Sequence, residues 1–126
     1  MGKVNVLVVE DESRRIGSNF IPQEFYDKMR TANIAVIEMP IEFRVQRIAK
    51  EYVLQMTKEF LNAYPVDGWE MFVNYLTESL FRVRKRLGLE NYKLIRSLMK
   101  DALRRQSDHG DTKGHEAWIV AMLRDY

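Results

Sequence analysis

An α/β fold rich in helix is what this sequence predicts, and three observations predict it. Two short β-branched runs, Val4 to Val9 and Ile34 to Ile37, have the composition of parallel strands covered on both faces. A short amphipathic stretch lies between them, so the first part reads strand, helix, strand. From Ile41 onward, apolar residues recur at spacings of three and four, the period of helices with one buried face.

Val4, Val6, Leu7, Val8 and Val9 lack the alternation of a half-exposed strand, which predicts a central position. Pro22 then stands where a first helical residue would, and Phe25 and Met29, flanked by Gln23, Glu24, Asp27 and Lys28, mark a short helix. Ile34, Ala35, Val36 and Ile37 repeat the buried-strand composition and stop at Pro40. Val4–Met39 is thus expected to be a β–α–β unit of two parallel strands with a right-handed crossover. Ile41, Val45, Ile48, Tyr52, Met56 and Phe60 predict a long helix, broken by Tyr64-Pro65-Val66-Asp67-Gly68. Trp69, Phe72, Val73, Leu76, Leu80, Val83 and Leu87 trace a second, ending at Gly88. Leu94, Ile95, Leu98, Met99, Ala102 and Leu103 supply a third, followed by a polar SDHGDTKGH loop and a last helix around Ala117–Leu123. The expected division is an α/β unit over 1–66 and a helical extension of three to four helices over 67–126, within one structural domain.

Two strands make a poor sheet, because their apolar faces and unpaired edges need further cover. The missing strands are expected from another chain or from the rest of a longer protein, and Met1-Gly2-Lys3 directly before a core strand favours the latter. Alone, the chain is expected to self-associate.

With 126 residues, 46% hydrophobic and 30% charged, one soluble domain is the expectation. No apolar run approaches the roughly 20 residues of a membrane span, and no signal-peptide pattern opens the chain, which predicts a cytoplasmic protein. The absence of cysteine excludes disulfides, thiolate metal sites and thiol chemistry by this chain. The net charge of +2 is unevenly spread. Between Arg82 and Arg105, nine basic residues face two acids, a local net charge of +7.

The first run closes on Glu10-Asp11-Glu12, and ligands of open α/β sheets collect at the carboxyl ends of strands. An apolar strand ending in acids resembles the Walker B element of P-loop nucleotide-binding proteins, in which a carboxylate holds Mg²⁺ directly or through water. A solvated acid cluster fits the same residues. Ser13, Arg14, Arg15, Ile16 and Gly17 follow, placing two guanidiniums suited to phosphate beside three carboxylates. The alternative is an arginine–carboxylate network that pins the loop. Arg44 and Arg47 are expected near the same sheet edge as a nucleotide clamp, unless Arg47 simply pairs with Glu51 four residues on. The fold expected is an incomplete P-loop NTPase-like unit, incomplete because no glycine opens the phosphate loop G-x-x-x-x-G-K-[ST].

Lys93, Arg96, Lys100 and Arg104 share one helical stripe, and Arg82, Arg84, Lys85 and Arg86 cluster before it. Together they could track a nucleic-acid backbone, or form a solvated basic face. Tyr92 could stack on a base or edge the core. His109 and His115, with Asp108 and Asp111, match no standard metal spacing, so capping is expected, with His115 anchoring the last helix by a hydrogen bond while Trp118 packs.

VVEDESRRIGSNFIPQEFYDKMR, AVIEMPIEFRVQRIAKEYV, RVRKRLGLENY and the G-D-T-K-G-H-E-A-W segment, in this order, resemble the C-terminal half of bacterial tRNA 2-selenouridine synthases. E-D-E-S-R-x-I-G and P-x-E-x-R-x-x-R carry the likeness, which runs nearly end to end. The resemblance implies a parent transferase that joins a rhodanese-like domain with a catalytic cysteine to a P-loop-containing domain. It implies replacement of sulfur by selenium in wobble 2-thiouridine of tRNA, with selenophosphate as donor and a geranylated intermediate. ATP or GTP with Mg²⁺ and geranyl diphosphate are then expected ligands of the parent. Glu10, Asp11, Glu12, Ser13, Arg14 and Gly17 match the post-strand motif, and Arg44 and Arg47 the second. Asp11 or Glu12 is expected to position Mg²⁺ or water, and the arginines phosphate.

This chain departs from the family pattern in lacking the rhodanese cysteine and the phosphate loop, and it looks like a fragment that stops before the family's usual tail. It is expected to be inactive alone. Two other functions remain open: a non-catalytic helical module binding nucleic acid or protein, and part of a P-loop kinase-like ATP/GTP-binding protein.

Overall fold

The computed structural model describes residues 5–125. Its chain divides into a first compact unit ending at Ile37 and a second beginning at Glu38.

The first unit departs from the expected β–α–β arrangement. Val6, Leu7, Val8 and Val9 belong to no strand and are exposed, Val8 at 85%. Val4 lies outside the described residues. Ile34, Ala35, Val36 and Ile37 are likewise unpaired, with Ile37 at 86% exposure. No parallel pair exists among the described residues. A β-branched run signals only the capacity to pair: the backbone N–H and C=O groups of a strand need a neighbour on each side. Pairing occurs instead in a hairpin inside the charged loop. β1 (Arg15–Ile16) and β2 (Asn19–Phe20) are antiparallel, with Arg15 opposite Phe20 and Ile16 opposite Asn19. Two residues, Gly17 and Ser18, close it. Gly17 has φ +59° and, among the described residues, only glycines adopt positive φ, so Ser18 does not, which matches a type II′ turn with glycine first. The Ile21 N–H donates to the Arg14 carbonyl at 2.9 Å and ties off the hairpin's open end. α1 (Gln23–Thr31) follows behind Pro22, whose ring presets the helical entry, and buries no residue completely.

The second unit is helical and holds the core. α2 (Ile41–Ile48) continues without a break through a π-helical segment, Ala49–Gln55, into α3 (Met56–Ala63). This is the predicted long helix with one change of phase. A π-turn takes in an extra residue, so the buried stripe moves one residue toward the C-terminus. Tyr52, expected inside, is half exposed, while Val53 is completely buried.

Tyr64-Pro65-Val66-Asp67 turns the chain into α4 (Gly68–Arg82). Gly68 is where the two helices touch: its N–H donates to the Tyr64 carbonyl at 2.8 Å, and a Cβ there would collide with the Phe60 carbonyl. A single turn, α5 (Arg84–Leu87), leads to Gly88 at φ +82°. α6 (Leu89–His109) begins earlier and ends later than the apolar stripe predicted, taking in Ser107, Asp108 and His109 from the expected loop. It stops at Gly110, which adopts the left-handed conformation (φ +67°) and donates its N–H to the Gln106 carbonyl. α7 (His115–Asp125) packs back along α6. Phe72, Leu76 and Leu80 of α4 meet Ile95, Met99 and Leu103 of α6 and Trp118 and Ile119 of α7 in one core.

Candidate phosphate loop and basic helical face

The acidic and arginine residues of the first unit are arranged around the hairpin. Ser13 Oγ donates to the Arg15 carbonyl at 2.8 Å. Arg14 Nε donates to the Ile21 carbonyl at 3.0 Å, and Arg15 Nε to the Gly17 carbonyl at 2.9 Å. Both guanidinium carbons lie over the Phe20 ring, at 5.7 and 5.9 Å from its centre. The two arginines therefore brace the hairpin through carbonyl groups and an aromatic face, and the alternative of an arginine–carboxylate network is not what pins this loop. Each keeps its outer N–H groups for a ligand, since Nε alone is spent. The carboxylates of Glu10, Asp11 and Glu12 are exposed and form no hydrogen bond or ion pair among the described residues. Val9, Glu10, Glu12, Ser13, Ile16, Ile21, Phe25 and Met29 line an open, mostly apolar groove of about 400 Å³.

Carboxylate oxygen suits Mg²⁺, which takes one or two protein ligands and completes its shell with water and phosphate. Asp11 or Glu12 fits that role. Among the described residues, no three His, Cys, Asp or Glu side chains converge as a ready-made metal cage.

Arg44 and Arg47 belong to the second unit, on the exposed side of α2. Arg47 Nε pairs with Glu51 Oε1 at 3.1 Å, one turn on, both side chains being largely solvated. Such a pair contributes a few tenths of a kcal/mol. Arg47→Ala is accordingly expected to leave the thermal midpoint within about 2 °C of the parent chain, read by circular dichroism.

Lys93, Arg96, Lys100 and Arg104 all lie exposed along α6, as one stripe, and no ion pair neutralises them among the described residues. Arg82, Lys85 and Arg86 are exposed beside them at the α4–α5 corner. Arg84 is different. Its Nη1 donates to the Phe81 carbonyl at 2.8 Å, and its guanidinium sits 3.6 Å from the centre of the Phe81 ring. Arg104 also borders a groove of about 670 Å³ between α6 and the start of α7. There Arg105 is held by Asp111, whose carboxyl is kept below its usual range by the Lys113 N–H and by the Arg105 guanidinium.

The histidines do not form a metal site. His115 is completely buried, and both ring nitrogens are occupied. Trp118 Nε1–H donates to Nδ1 at 2.8 Å, which makes Nδ1 the acceptor and puts the proton on Nε2, facing Gln106 Oε1 at 2.7 Å. Gln106 in turn donates from Nε2 to Thr57 Oγ1 at 3.1 Å. The expected anchor is thus a four-residue chain linking α7, α6 and α3. His109 stands apart, exposed at the end of α6. Gln106 and Thr57 gave no sign in the sequence, being ordinary polar residues on helices. Phe81 did give one: it is an aromatic that falls off the buried stripe of α4.

Comparison with protein-family models gives the class first: residues 2–126 match an AAA domain. The matching family is the tRNA 2-selenouridine synthase AAA domain, and the chain belongs to it. A tRNA 2-selenouridine synthase from Psychromonas ingrahamii (strain DSM 17664 / CCUG 51855 / 37) is 38% identical over 121 residues, which covers 95% of this chain and 33% of that protein. The chain thus spans about a third of the length of this relative. No solved structure matches. No helix among the described residues is long and apolar enough to cross a membrane.

Proposed function

We propose that the chain serves a cytoplasmic tRNA 2-selenouridine synthase as a phosphate-handling and tRNA-binding part, and that it does not catalyse the replacement of sulfur by selenium alone. The observation that carries this reading is the uncompensated basic face of α6, within a chain of that family. Lys93, Arg96, Lys100 and Arg104 lie along one line, where a phosphodiester backbone would neutralise them. Arg82, Lys85 and Arg86 extend the line to the α4–α5 corner.

The hairpin supports the second half of the reading. Arg14 and Arg15 are held by backbone carbonyls with N–H groups to spare, next to carboxylates that hold nothing else. They would take a phosphate of ATP or GTP, selenophosphate or geranyl diphosphate. Arg44 and Arg47, on α2 of the second unit, would contact phosphate in their own right. Glu10, Ser13 and Gly17 shape the same loop. Mg²⁺ at Asp11 or Glu12 would neutralise charge on such a phosphate. Exposed Val6 to Val9 and Ile34 to Ile37 are surfaces for further strands, supplied by the parent enzyme's phosphate-loop segment or, in isolation, by a second copy.

The test is a titration of thiolated tRNA with the chain at several salt concentrations. Binding is expected to weaken linearly in log–log terms, and each of Lys93→Gln, Arg96→Gln and Lys100→Gln to lower the slope by roughly 0.7–0.9. Affinity indifferent to salt would remove the basic face from this function.

A further inference from the structure

We propose that Phe81, Arg84 and Tyr92 form a stacking platform for an unpaired nucleobase of RNA, set at the end of the basic face. This rests on the reading of α4–α6 as an RNA-binding surface and adds to it a place where a base, and not only a backbone, is held.

The platform is built by the corner between three helices. α4 ends at Arg82, α5 is one turn, and Gly88 at φ +82° reverses the chain into α6. That reversal brings the first turn of α6 against the last turn of α4, so that Phe81 and Tyr92 meet edge to face, with centroids 6.3 Å apart and planes at 65°. Phe81 remains 49% exposed. The Arg84 guanidinium lies on its ring at 3.6 Å, in van der Waals contact, and is kept there by the hydrogen bond to the Phe81 carbonyl. A half-exposed ring is thereby fixed in orientation on two sides.

A plainer account covers part of this. Arg84 caps the end of α4, where carbonyls lack partners and a cation is favoured. Capping explains the hydrogen bond. It does not require an exposed phenylalanine at the corner; Tyr92, partly buried against the core, is a fixed support for that ring. Unpaired bases, by contrast, are recognised by aromatic side chains and by guanidinium planes, both with the phosphate backbone running along nearby cations. The surroundings match that chemistry. Leu89, Tyr92, Lys93 and Arg96 fall at i, i+3, i+4 and i+7 of α6, one continuous face, so the platform and the basic stripe adjoin. Leu89, on the same face of α6 as Tyr92, is 64% exposed. Duplex RNA keeps its bases stacked and would find only the cations useful.

The experiment compares two probes on the intact chain: a stem–loop RNA with 2-aminopurine in its unpaired loop, and a blunt duplex with the same number of phosphates. Phe81→Leu is expected to weaken stem–loop binding about 10-fold, within the range of roughly 5- to 150-fold for loss of one stacked base, and to abolish the quenching of 2-aminopurine. The salt slope and duplex affinity should stay unchanged, as should the thermal midpoint, because leucine keeps the carbonyl that Arg84 caps. Phe81→Tyr should bind as the parent does. Arg84→Lys, which keeps the charge and loses the plane, should weaken the stem–loop several-fold at constant slope. Equal affinity of parent and Phe81→Leu chains for the stem–loop would overturn the platform, as would equal weakening of both probes, while leaving the basic face intact. Failure of both probes to bind in a salt-dependent way would overturn the RNA-binding surface itself and the platform with it.

Discussion

Gly68→Ala is expected to lower the thermal midpoint by roughly 10–20 °C, corresponding to about 2–4 kcal/mol in a helical unit of this size, read by circular dichroism. The added methyl would lie 2.9 Å from the carbonyl carbon of Phe60 and 3.1 Å from the Cα of Leu61, and closer still to the Phe60 oxygen. All three are backbone atoms, so no rotamer change relieves the overlap. α3 and α4 must move apart, taking with them the contact of Phe60 with Phe72 and Tyr75. Gly114→Ala is the matched control. There a Cβ would meet the Arg105 side-chain end at 3.2 Å and the Ala102 Cα at 3.3 Å, tight contacts that a shift of a few tenths of an ångström relieves, so a smaller loss of roughly 1 kcal/mol is expected. A Gly68→Ala chain as stable as the Gly114→Ala chain would show that the α3–α4 contact is looser than the geometry states.

The second large effect is that of acid on the helical unit. Burial pushes the His115 imidazole down from its ordinary 6.5 to about 4. In the unfolded chain the same ring takes up a proton near 6.5. Between these values the unfolded state binds more protons, so the contribution of neutral His115 is complete above pH 6.5 and is lost as pH falls toward 4. The loss should reach on the order of 2–3 kcal/mol and appear as a falling urea midpoint across that window. Protonation also converts Nδ1 from acceptor to donor, setting it against the Trp118 indole N–H. His115→Phe should flatten this part of the pH profile. It should also cost about 2–3 kcal/mol at neutral pH, because Trp118 Nε1 and one end of Gln106 lose their partners inside the protein. A profile with the same slope in the variant would assign the acid sensitivity to the carboxylates.

The helical half was legible because its signal is local. Phe72, Leu76 and Leu80, or Ile95, Met99 and Leu103, declare a buried face by spacing alone, whatever lies opposite. Where reading failed within it, a local rule was overridden by backbone hydrogen bonding: the π-helical segment Ala49–Gln55 exchanged Tyr52 for Val53, and a left-handed Gly110 carried α6 through Ser107–His109. The hydrogen-bond chain from Trp118 to Thr57 shows the limit from the other side. His115 announced an anchor, but its partner Gln106 is 9 residues away in sequence and Thr57, the partner of Gln106, a further 49, and only packing of three helices brings them into reach.

The candidate site divides in the same manner. The composition of each part is written in the chain itself: acids and arginines after the first apolar run, and a net charge of +7 over 82–105. Tertiary structure decided how those groups are used. It set Arg14 and Arg15 on carbonyls and on Phe20, gave Arg47 to Glu51, and seated Arg84 on Phe81 while leaving the α6 stripe to solvent. It also left Val6 to Val9 and Ile34 to Ile37 unpaired. The reason is physical: periodicity within one segment reports which face is apolar, whereas strand pairing, ion pairing and stacking depend on a second segment whose position no local pattern encodes.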